Sequence, residues 1–384
     1  MPPRHLYIHV PFCARRCSYC DFSIAVRSST PVEEYISALR TELATGVVQG
    51  STLDTVYLGG GTPSRLGGRG VADVLSLVRD YASIAPDAEI TIEANPDDVN
   101  DVGVAQWVAA GVNRVSLGSQ SFDDSVLEWM HRTHDSRQIG RAVKALRRGG
   151  ISNLSLDLIF ALPATLKRSW ERDLTLALDL EPAHVSLYGL TVEAHTPIAR
   201  WADRGAVVEG TEEQYEEEFL LANEMMTGAG FDHYEVSNFS RPGKASRHNS
   251  AYWTGAPYAG IGPSAHSFDG AVRRWNVSAY SEWVRCLADG KSVIGGEEIL
   301  TDENHEAEEV YLGLRTRTGL QIQESEHEAV ARWVNAGWAD LQVRRLRLTP
   351  TGWLRLDSLA TDLAARRTRK PHEALGPTPS HCYI

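Results

Sequence analysis

Three cysteines lie close together near the start of the chain. Cys13, Cys17 and Cys20 are spaced C-x3-C-x2-C, and the other two of the five cysteines, Cys286 and Cys382, are distant. Thiolates favour soft metals, so this spacing indicates a zinc site or an iron–sulfur cluster. A four-iron cluster is usually closed by a fourth cysteine, and none is near. One iron would therefore stay open, and an open position is how a metal site admits a substrate or cofactor.

Two other interpretations of these cysteines stay open on the residues alone. The three thiolates could hold a structural zinc ion, with His9 or His5 as the fourth ligand. The cysteines could also be unliganded. Zinc sites more often combine a pair of cysteines with a second, distant pair of Cys or His residues, so the spacing favours a [4Fe-4S] cluster.

Glycines and polar residues recur where predicted strands end. Gly59-Gly60-Gly61-Thr62-Pro63 follows a buried strand, where glycines let the backbone approach a ligand and offer its N–H groups. Glu93 and Gln120 end the next two strands, and Asp157 lies inside an apolar strand, where an unpartnered carboxylate is costly. A plain turn and a structural Asp are the alternatives for single positions. Because chemistry gathers at strand ends in parallel barrels, these positions together indicate a binding site.

The elements that must position these residues alternate between strand and helix over residues 6–190. Strands are predicted at 6–10, 54–59, 89–94, 114–118, 154–160 and 184–190, and helices at 32–48, 71–82, 101–110, 123–131, 136–148 and 168–180. Such alternation is typical of a parallel sheet wrapped by crossover helices. Six units are fewer than those of a closed barrel, so we predict an α/β fold, an open three-quarter (β/α)6 barrel over residues 1–191.

The rest of the chain has a different pattern. A helix at 211–228, a strand-like segment at 231–239 and a glycine-rich loop at 255–270 belong to a region, residues 192–297, that we expect to pack on the barrel. Residues 298–363 predict an α+β, winged-helix-like domain, with helices at 303–316 and 323–336, a two-stranded hairpin and a last helix. The tail, residues 364–384, lacks periodicity, and we expect it to be disordered and its basic residues to be solvated.

Composition argues against several classes of protein. Hydrophobic content of 42% and charged content of 23% are those of a soluble globular protein, and a net charge of −12 argues against a nucleic-acid-binding protein. No apolar run is long enough to cross a bilayer, and the N-terminus lacks the apolar core of a signal peptide. Few, unevenly placed cysteines favour a reducing compartment, so we expect a cytoplasmic protein.

The cysteine spacing resembles the signature of the radical S-adenosylmethionine (SAM) superfamily. Further segments resemble the coproporphyrinogen oxidase-like branch of that superfamily and occur in order from Leu6 to Thr191: Y-I-H-V-P-F-C, C-S-Y-C-D-F, G-G-G-T-P, I-E-A-N-P and L-G-S-Q-S-F. The resemblance implies the partial barrel and a [4Fe-4S] cluster on the three cysteines. It also implies that the open iron is chelated by the amino and carboxylate groups of S-adenosyl-L-methionine.

The same resemblance implies roles for residues outside the cysteine loop. In that branch, a first SAM molecule would be contacted by Tyr7, Gly60 and Glu93. The positions at which the oxidase binds a second SAM correspond here to Tyr19, Gly61, Thr62, Gln120, Arg132 and Asp157. We therefore expect SAM at the ends of the barrel strands.

A second group of chemically active side chains lies in a predicted loop after the barrel. His248 begins the segment H-N-S-A-Y-W, where an imidazole could ligate heme iron and Tyr252 and Trp253 could stack on the porphyrin. A loop histidine held by a hydrogen bond is the alternative. The segment resembles a motif of the heme chaperone branch of the superfamily, as does Gly260–Ser267, in which His266 is a second candidate ligand.

Two departures from the oxidase favour the chaperone branch. Phe22 stands where the oxidase has a further cysteine, and the first predicted strand begins at residue 6, without the oxidase's shielding N-terminal segment. We expect a protein that binds heme and delivers it to a heme-requiring acceptor protein, which could lie at a membrane. We do not expect coproporphyrinogen oxidase activity. The alternatives are an oxygen-independent coproporphyrinogen III oxidase and a zinc-stabilised binding module.

Overall fold

The structure, a computed structural model, describes residues 2–368, which fall into two units. The first unit ends at Ile299, and the second begins at Leu300. Among the described residues, no helix combines the length and the apolar character needed to span a membrane.

The first unit begins with alternating strands and helices and continues with short strands. Its elements are, in chain order, β1 His5–Val10, β2 Phe12–Cys13, β3 Ala25–Val26, α1 Val32–Leu43, β4 Thr52–Gly60, α2 Gly67–Tyr81, β5 Ser83–Ala94, α3 Asp101–Ala110, β6 Arg114–Gln120, α4 Asp124–Trp129, α5 Ser136–Arg148, β7 Asn153–Phe160, α6 Trp170–Asp179, β8 His184–Gly189, α7 Pro197–Ala202, α8 Glu212–Gly228, β9 Asp232–Glu235, β10 Asn238–Ser240, α9 Arg247–Trp253, β11 Ala259–Ile261, β12 His266–Phe268, β13 Val272–Asn276, α10 Tyr280–Ala288 and β14 Ile294–Ile299.

Six strands of this unit form the predicted parallel sheet. β1, β4, β5, β6, β7 and β8 lie side by side in chain order, and each neighbouring pair is parallel. Helices connect them, as parallel pairing requires. The two edges of the sheet carry further strands and do not pair with each other within the described residues. The predicted open (β/α)6 barrel is therefore confirmed.

The sheet is apolar on one face and largely polar on the other. Side chains alternate along a strand, so Leu6, Ile8 and Val10 of β1 share one face, where all three are fully buried. Tyr7 lies on the opposite face and stacks on Tyr57 of β4, with ring centroids 6.1 Å apart. A parallel sheet that serves only as a core carries Val, Ile and Leu on both faces. Polar side chains inside the barrel therefore mark the inner face as the place for a ligand.

Short strands extend the sheet beyond the six parallel ones. β11 pairs in parallel with β1, while antiparallel β10 and β9 follow β8 at the other edge. The glycine-rich loop predicted at 255–270 is therefore wrong, because it contains β11 and β12. β12, β13 and β14 form a separate three-stranded antiparallel sheet. Strands of only three residues give too little alternation to be recognised in the sequence.

A buried glutamate fastens this added region to the barrel. Glu42, in the last turn of α1, accepts hydrogen bonds from Gly262 N (2.9 Å), Asn276 Nδ2 (2.6 Å) and Trp283 Nε1 (3.0 Å). Burial raises the pKa of Glu42 to about 7, although the three donors act in the opposite direction. No sequence pattern indicated this residue, since its partners lie 220, 234 and 241 positions away.

The second unit has the element order of the predicted winged-helix-like domain. Its elements are α11 Asp302–Arg315, β15 Leu320–Gln321, α12 His327–Asn335, β16 Ala339–Gln342, β17 Arg345–Leu348, α13 Pro350–Trp353 and α14 Leu356–Thr368. The three strands form one antiparallel sheet in the order β15, β17, β16.

The predicted tail begins too early. α14 continues to Thr368, and Arg367 near its end places Nε 2.7 Å from Oε1 of Glu326, with both side chains almost completely buried. An ion pair of this kind needs a fixed backbone, which the polar composition of the segment did not reveal. The rest of the predicted tail, residues 369–384, lies outside the described residues.

Candidate functional site

The three cysteines belong to one closed loop at the carboxyl end of β1. Cys13 lies on β2, and the parallel pairing of β2 with β3 closes the loop that carries Cys17 and Cys20. A turn with Cys20 N–H 3.4 Å from Cys17 O keeps these two cysteines adjacent. All three thiols are free, and the structure shows no disulfide among them.

Two of the thiols meet hydrogen-bond donors from the barrel. Cys13 Sγ lies 3.4 Å from Thr62 Oγ1, and Arg132 Nη1 lies 3.4 Å from Cys17 Sγ. Burial raises the pKa of Cys13, and it raises that of Cys20 to about 12, so a metal must displace the proton from each. A hydroxyl and a guanidinium beside the sulfurs would offset the charge of bound thiolates. This environment fits an iron–sulfur cluster.

The histidines that a zinc site would need are engaged elsewhere. His9 places Nδ1 3.2 Å from Tyr7 OH and Nε2 3.1 Å from Ser23 O, and His5 Nδ1 lies 3.0 Å from Thr55 Oγ1. In the described part of the chain, no three His, Cys, Asp or Glu side chains converge on one metal ion. A [4Fe-4S] cluster needs no such convergence, because its thiolates bind different irons. The cysteine loop is therefore compatible with the predicted cluster.

Arg132 ties the cysteine loop to the ends of two barrel strands. Besides Cys17, its guanidinium donates to Tyr19 OH (3.4 Å), Asn95 Oδ1 (2.6 Å) and Gly118 O (2.9 Å). The resemblance placed Arg132 and Tyr19 at a second SAM site. In the structure these side chains bond to each other and to the loop, so they position the cysteines.

The glycine segment makes room for the cysteine loop. Gly60 has a φ of +107°, and a Cβ there would lie 2.6 Å from the His9 ring. A Cβ on Gly61 would lie 2.7 Å from the carbonyl carbon of Pro11, which directly precedes the loop. Glycine is thus required because β1 and its continuation pass against these positions. Close approach of a ligand, the reason proposed from the sequence, stays a prediction beside these contacts.

Glu93 places a buried carboxylate beside the glycine segment. Its Oε2 accepts a hydrogen bond from Gly60 N (3.0 Å), and its Oε1 accepts one from Tyr57 OH (2.8 Å). Burial raises the pKa of Glu93 to about 7. Because a carboxylate offers about four acceptor positions, Glu93 keeps capacity for a cationic group such as an ammonium.

Gln120 and Asp157 have contrasting surroundings. Gln120 ends β6 with a φ of +63°, in the left-handed region, where the register between β6 and β7 also shifts. Strain of this kind clusters at ligand sites. Asp157 accepts hydrogen bonds from Ser116 Oγ (2.9 Å) and Ser155 Oγ (3.2 Å), and burial raises its pKa. Asp157 is therefore a partnered carboxylate on the inner face of the barrel, and its place at a SAM site stays a prediction.

His248 lies toward the opposite end of the strands from the cysteines. Its segment is not a loop but the helix α9, with Ser246 as N-cap, and the His248 N–H donates to Glu89 Oε1 (3.0 Å). Nδ1 lies 2.7 Å from Thr55 Oγ1, and Nε2 lies 2.8 Å from Tyr252 OH. Burial lowers the pKa of His248 to about 3. Since both ring nitrogens are hydrogen bonded, the contacts favour the hydrogen-bonded alternative, and heme ligation by His248 stays a prediction.

The other heme-binding candidates separate in space. Tyr252 belongs to the buried group around His248, with ring centroids 5.0 Å apart, and Trp253 ends the same helix. His266 begins β12, is exposed, and stacks on Trp275 with ring centroids 5.9 Å apart. Only one of the two histidines predicted as heme ligands is therefore accessible.

Sequence reasoning missed two residues of this region. Asn95 accepts a hydrogen bond from Arg132 and lies two residues after Glu93 at the same strand end. Its place in I-E-A-N-P could therefore have indicated that it belongs to the site. Trp275 gave no such signal, because it meets His266 only through the pairing of β12 with β13.

Comparison with known proteins agrees with this arrangement. The family model of the radical SAM superfamily matches residues 7–177. A heme chaperone HemW of Synechocystis is 40% identical over 327 residues, which are 83% of this chain and 79% of that protein. The heme chaperone HemW of Mycobacterium tuberculosis is 37% identical over 369 residues, which are 94% of this chain and 95% of that protein.

A solved structure supports the fold independently. Coproporphyrinogen III oxidase (HemN) from Escherichia coli, a radical SAM enzyme, aligns with a TM-score of 0.80 over 94% of this chain and 90% of that chain. Sequence identity is 22%, so the likeness concerns the fold alone. With the cysteine loop, the partial barrel and the relatives taken together, the chain belongs to the HemW heme chaperone family of the radical SAM superfamily.

Proposed function

We propose that the protein is a heme chaperone, which binds heme and delivers it to a heme-requiring acceptor protein. The observation that carries this proposal is the similarity to HemW heme chaperones, which extends over 94% of this chain in one relative. The similarity includes the region beyond the barrel, where the family model of the superfamily does not reach. Heme would be cargo, distinct from the resident [4Fe-4S] cluster and SAM.

The barrel mouth would hold the resident cofactors. Cys13, Cys17 and Cys20 are the proposed cluster ligands, and a bound cluster would supply an open iron for SAM and one-electron chemistry. Gly60 and Tyr57 fix both carboxylate oxygens of Glu93, which would then accept the ammonium group of SAM. These hydrogen bonds fix the orientation of Glu93 before any ligand binds.

Heme transfer is the direct test of this function. The chain would be reconstituted anaerobically, loaded with hemin and mixed with a heme-free acceptor protein, whose absorption spectrum reports uptake. We expect stoichiometric heme binding and transfer faster than from a non-specific heme carrier such as serum albumin. Failure to bind heme would contradict the proposal.

A second arm separates the chaperone from the oxidase. With SAM, reductant and coproporphyrinogen, the reconstituted protein should form no protoporphyrinogen above the level of a Cys17→Ala variant. That variant should lose the cluster absorbance, whereas Cys286→Ala, which changes a free cysteine on α10, should keep it. Steady formation of protoporphyrinogen by the wild-type protein would overturn the assignment.

A further inference from the structure

His266 presents an exposed imidazole that is free to bind a metal. His266, the first residue of β12, is exposed, and neither ring nitrogen has a hydrogen-bond partner among the described residues. By contrast, both ring nitrogens are hydrogen bonded in the buried histidines His9, His184, His233 and His248. A ligand for heme iron must offer an unprotonated, unoccupied nitrogen.

A flat aromatic surface lies beside this imidazole. His266 and Trp275 are directly opposite each other in β12 and β13, and their rings stack at 5.9 Å with an angle of 29° between the planes. Gly296 of β14 allows the indole to lie flat, since a Cβ there would come 2.4 Å from the Trp275 ring. A macrocycle bound through the imidazole would stand across both stacked rings, so the half-buried indole would add apolar surface along its edge.

Positive charge is present on the same strand. Arg273 lies two residues before Trp275, on the same side of β13, and its Nη1 is 3.5 Å from Glu298 Oε2. The Arg273 guanidinium also lies over the Phe268 ring, 5.4 Å from its centroid, so its positive charge is held at this surface. A positive charge here favours an anionic ligand group such as a propionate. Partial burial and the charge of Arg273 also lower the pKa of His266.

The platform formed by His266 and Trp275 adjoins the cysteine loop. Ser267 Oγ of β12 accepts a hydrogen bond from Gly260 N of β11 (2.8 Å), and β11 pairs with β1. His9 of β1 contacts Ser23 of the loop. Ser23 Oγ in turn donates to Ser278 O, two residues after β13, at 2.6 Å. Next to Ser23, Phe22 exposes half of its surface, so the loop contributes an accessible apolar side chain to this region.

We propose that heme binds on the surface formed by β12 and β13, with His266 as an axial ligand of the iron and the edge of the Trp275 indole against the macrocycle. This inference rests on the proposed heme chaperone function and deepens it, because it assigns the cargo site. It places the cargo beside the cysteine loop and on the opposite side of β1 from the strands β4 to β8.

Spectroscopy of heme-loaded variants tests this assignment. Hemin would be titrated into the full-length reconstituted protein, and ferric heme would be followed by its Soret absorption and its electron paramagnetic resonance. His266→Ala should weaken heme binding about tenfold or more and remove the imidazole signature, since a direct iron ligand is lost. His266→Met should replace that signature with one of thioether ligation, which a merely structural role for His266 would not produce. Trp275→Ala should weaken binding and leave the ligation unchanged.

The control is another exposed histidine. His195→Ala removes an exposed imidazole outside the platform and should bind heme as the wild-type protein does. If His266→Ala and His266→Met bind heme with the wild-type affinity and spectrum, the site assignment is wrong while the chaperone function stands. If the wild-type protein binds no heme, both proposals fail.

Discussion

At the scale of single residues, Arg132 connects the most parts of the site. One guanidinium contacts a cysteine sulfur, a tyrosine hydroxyl and the ends of β5 and β6 through Asn95 and Gly118. Hydrogen bonds to cluster sulfurs stabilise the reduced, more negative cluster. Arg132 therefore sets both the position of the cysteine loop and the electrostatic surroundings of the cluster.

Arg132→Met should lower the midpoint potential of the reconstituted cluster by an amount on the order of tens of millivolts, because an N–H donor and a positive charge leave the sulfur. Arg16→Met is the matched control, since Arg16 Nη1 donates to the Cys20 carbonyl and not to a sulfur. A redox titration followed by electron paramagnetic resonance measures both. Equal shifts in the two variants would show that only general charge matters, and no shift in Arg132→Met would contradict the contact.

Glu42 predicts how stability depends on pH. Its pKa of about 7 in the folded protein is above the ordinary value of 4.5, so the folded state binds the proton more tightly than the unfolded state. Its contribution to the free energy of unfolding is therefore complete below pH 4.5 and is lost as pH rises through 7. Glu42→Gln, which cannot titrate, should remove this part of the slope. Chemical denaturation of wild type and variant at several pH values measures it, and parallel pH profiles would contradict the prediction.

At the scale of elements, hydrophobic period and length explain what the sequence could predict. The six parallel strands of the barrel are apolar runs, and the helices between them have apolar residues at 3.6-residue spacing. Both patterns can be recognised without knowing which residues each element contacts in the fold. The helix α9 was not predicted, because it has only seven residues, RHNSAYW, most of which have low helix propensity. Its stability comes from Glu89 and Thr55, which are distant in sequence.

The residues of the site also divide into those that could be predicted from the sequence and those that could not. The cysteine spacing and the positions of Gly60 and Glu93 could be read from the sequence, because they lie within or beside one strand end each. The free imidazole of His266 and the occupied one of His248 could not be distinguished, because that difference depends on Thr55, Tyr252 and the register of β12 with β13. Histidines in similar motifs acquire different roles only through tertiary contacts.

α9 should behave as a structural element of the barrel. His248→Ala removes the Tyr252 hydroxyl's contact with the imidazole and one of the two partners of the Thr55 hydroxyl, which also contacts His5. The variant should lower the free energy of unfolding by about 1–3 kcal/mol. The folded pKa of about 3 is below the ordinary 6.5, so His248 destabilises the fold as pH falls below 6.5, and the variant should lose this acid sensitivity. Heme loaded on His248→Ala should keep the wild-type spectrum. An altered heme spectrum at unchanged stability would reverse the assignment.

At the scale of the whole molecule, the residues proposed to bind the cluster, SAM or heme all belong to one of the two units. Every residue assigned here to the cluster, SAM or heme lies before Leu300, where the first unit ends. The second unit has its own core, which includes Val310, Leu314, Val330, Leu346 and Leu363, all of them fully buried. Ligands of the site should therefore act on the stability of the first unit.

Calorimetry of the full-length reconstituted protein tests this division. We expect two unfolding transitions, because each unit has a core of its own. SAM binds only the folded site, so at a concentration 100 times its dissociation constant it should stabilise one transition by about 2.7 kcal/mol. The other transition should stay in place, and Glu93→Gln should reduce the shift by weakening the contact with the SAM ammonium. A sample that contains neither heme nor cluster serves as the control, and SAM should shift neither of its transitions. A single transition that moves as a whole would show that the two units unfold together, and the second unit would then sense the state of the site.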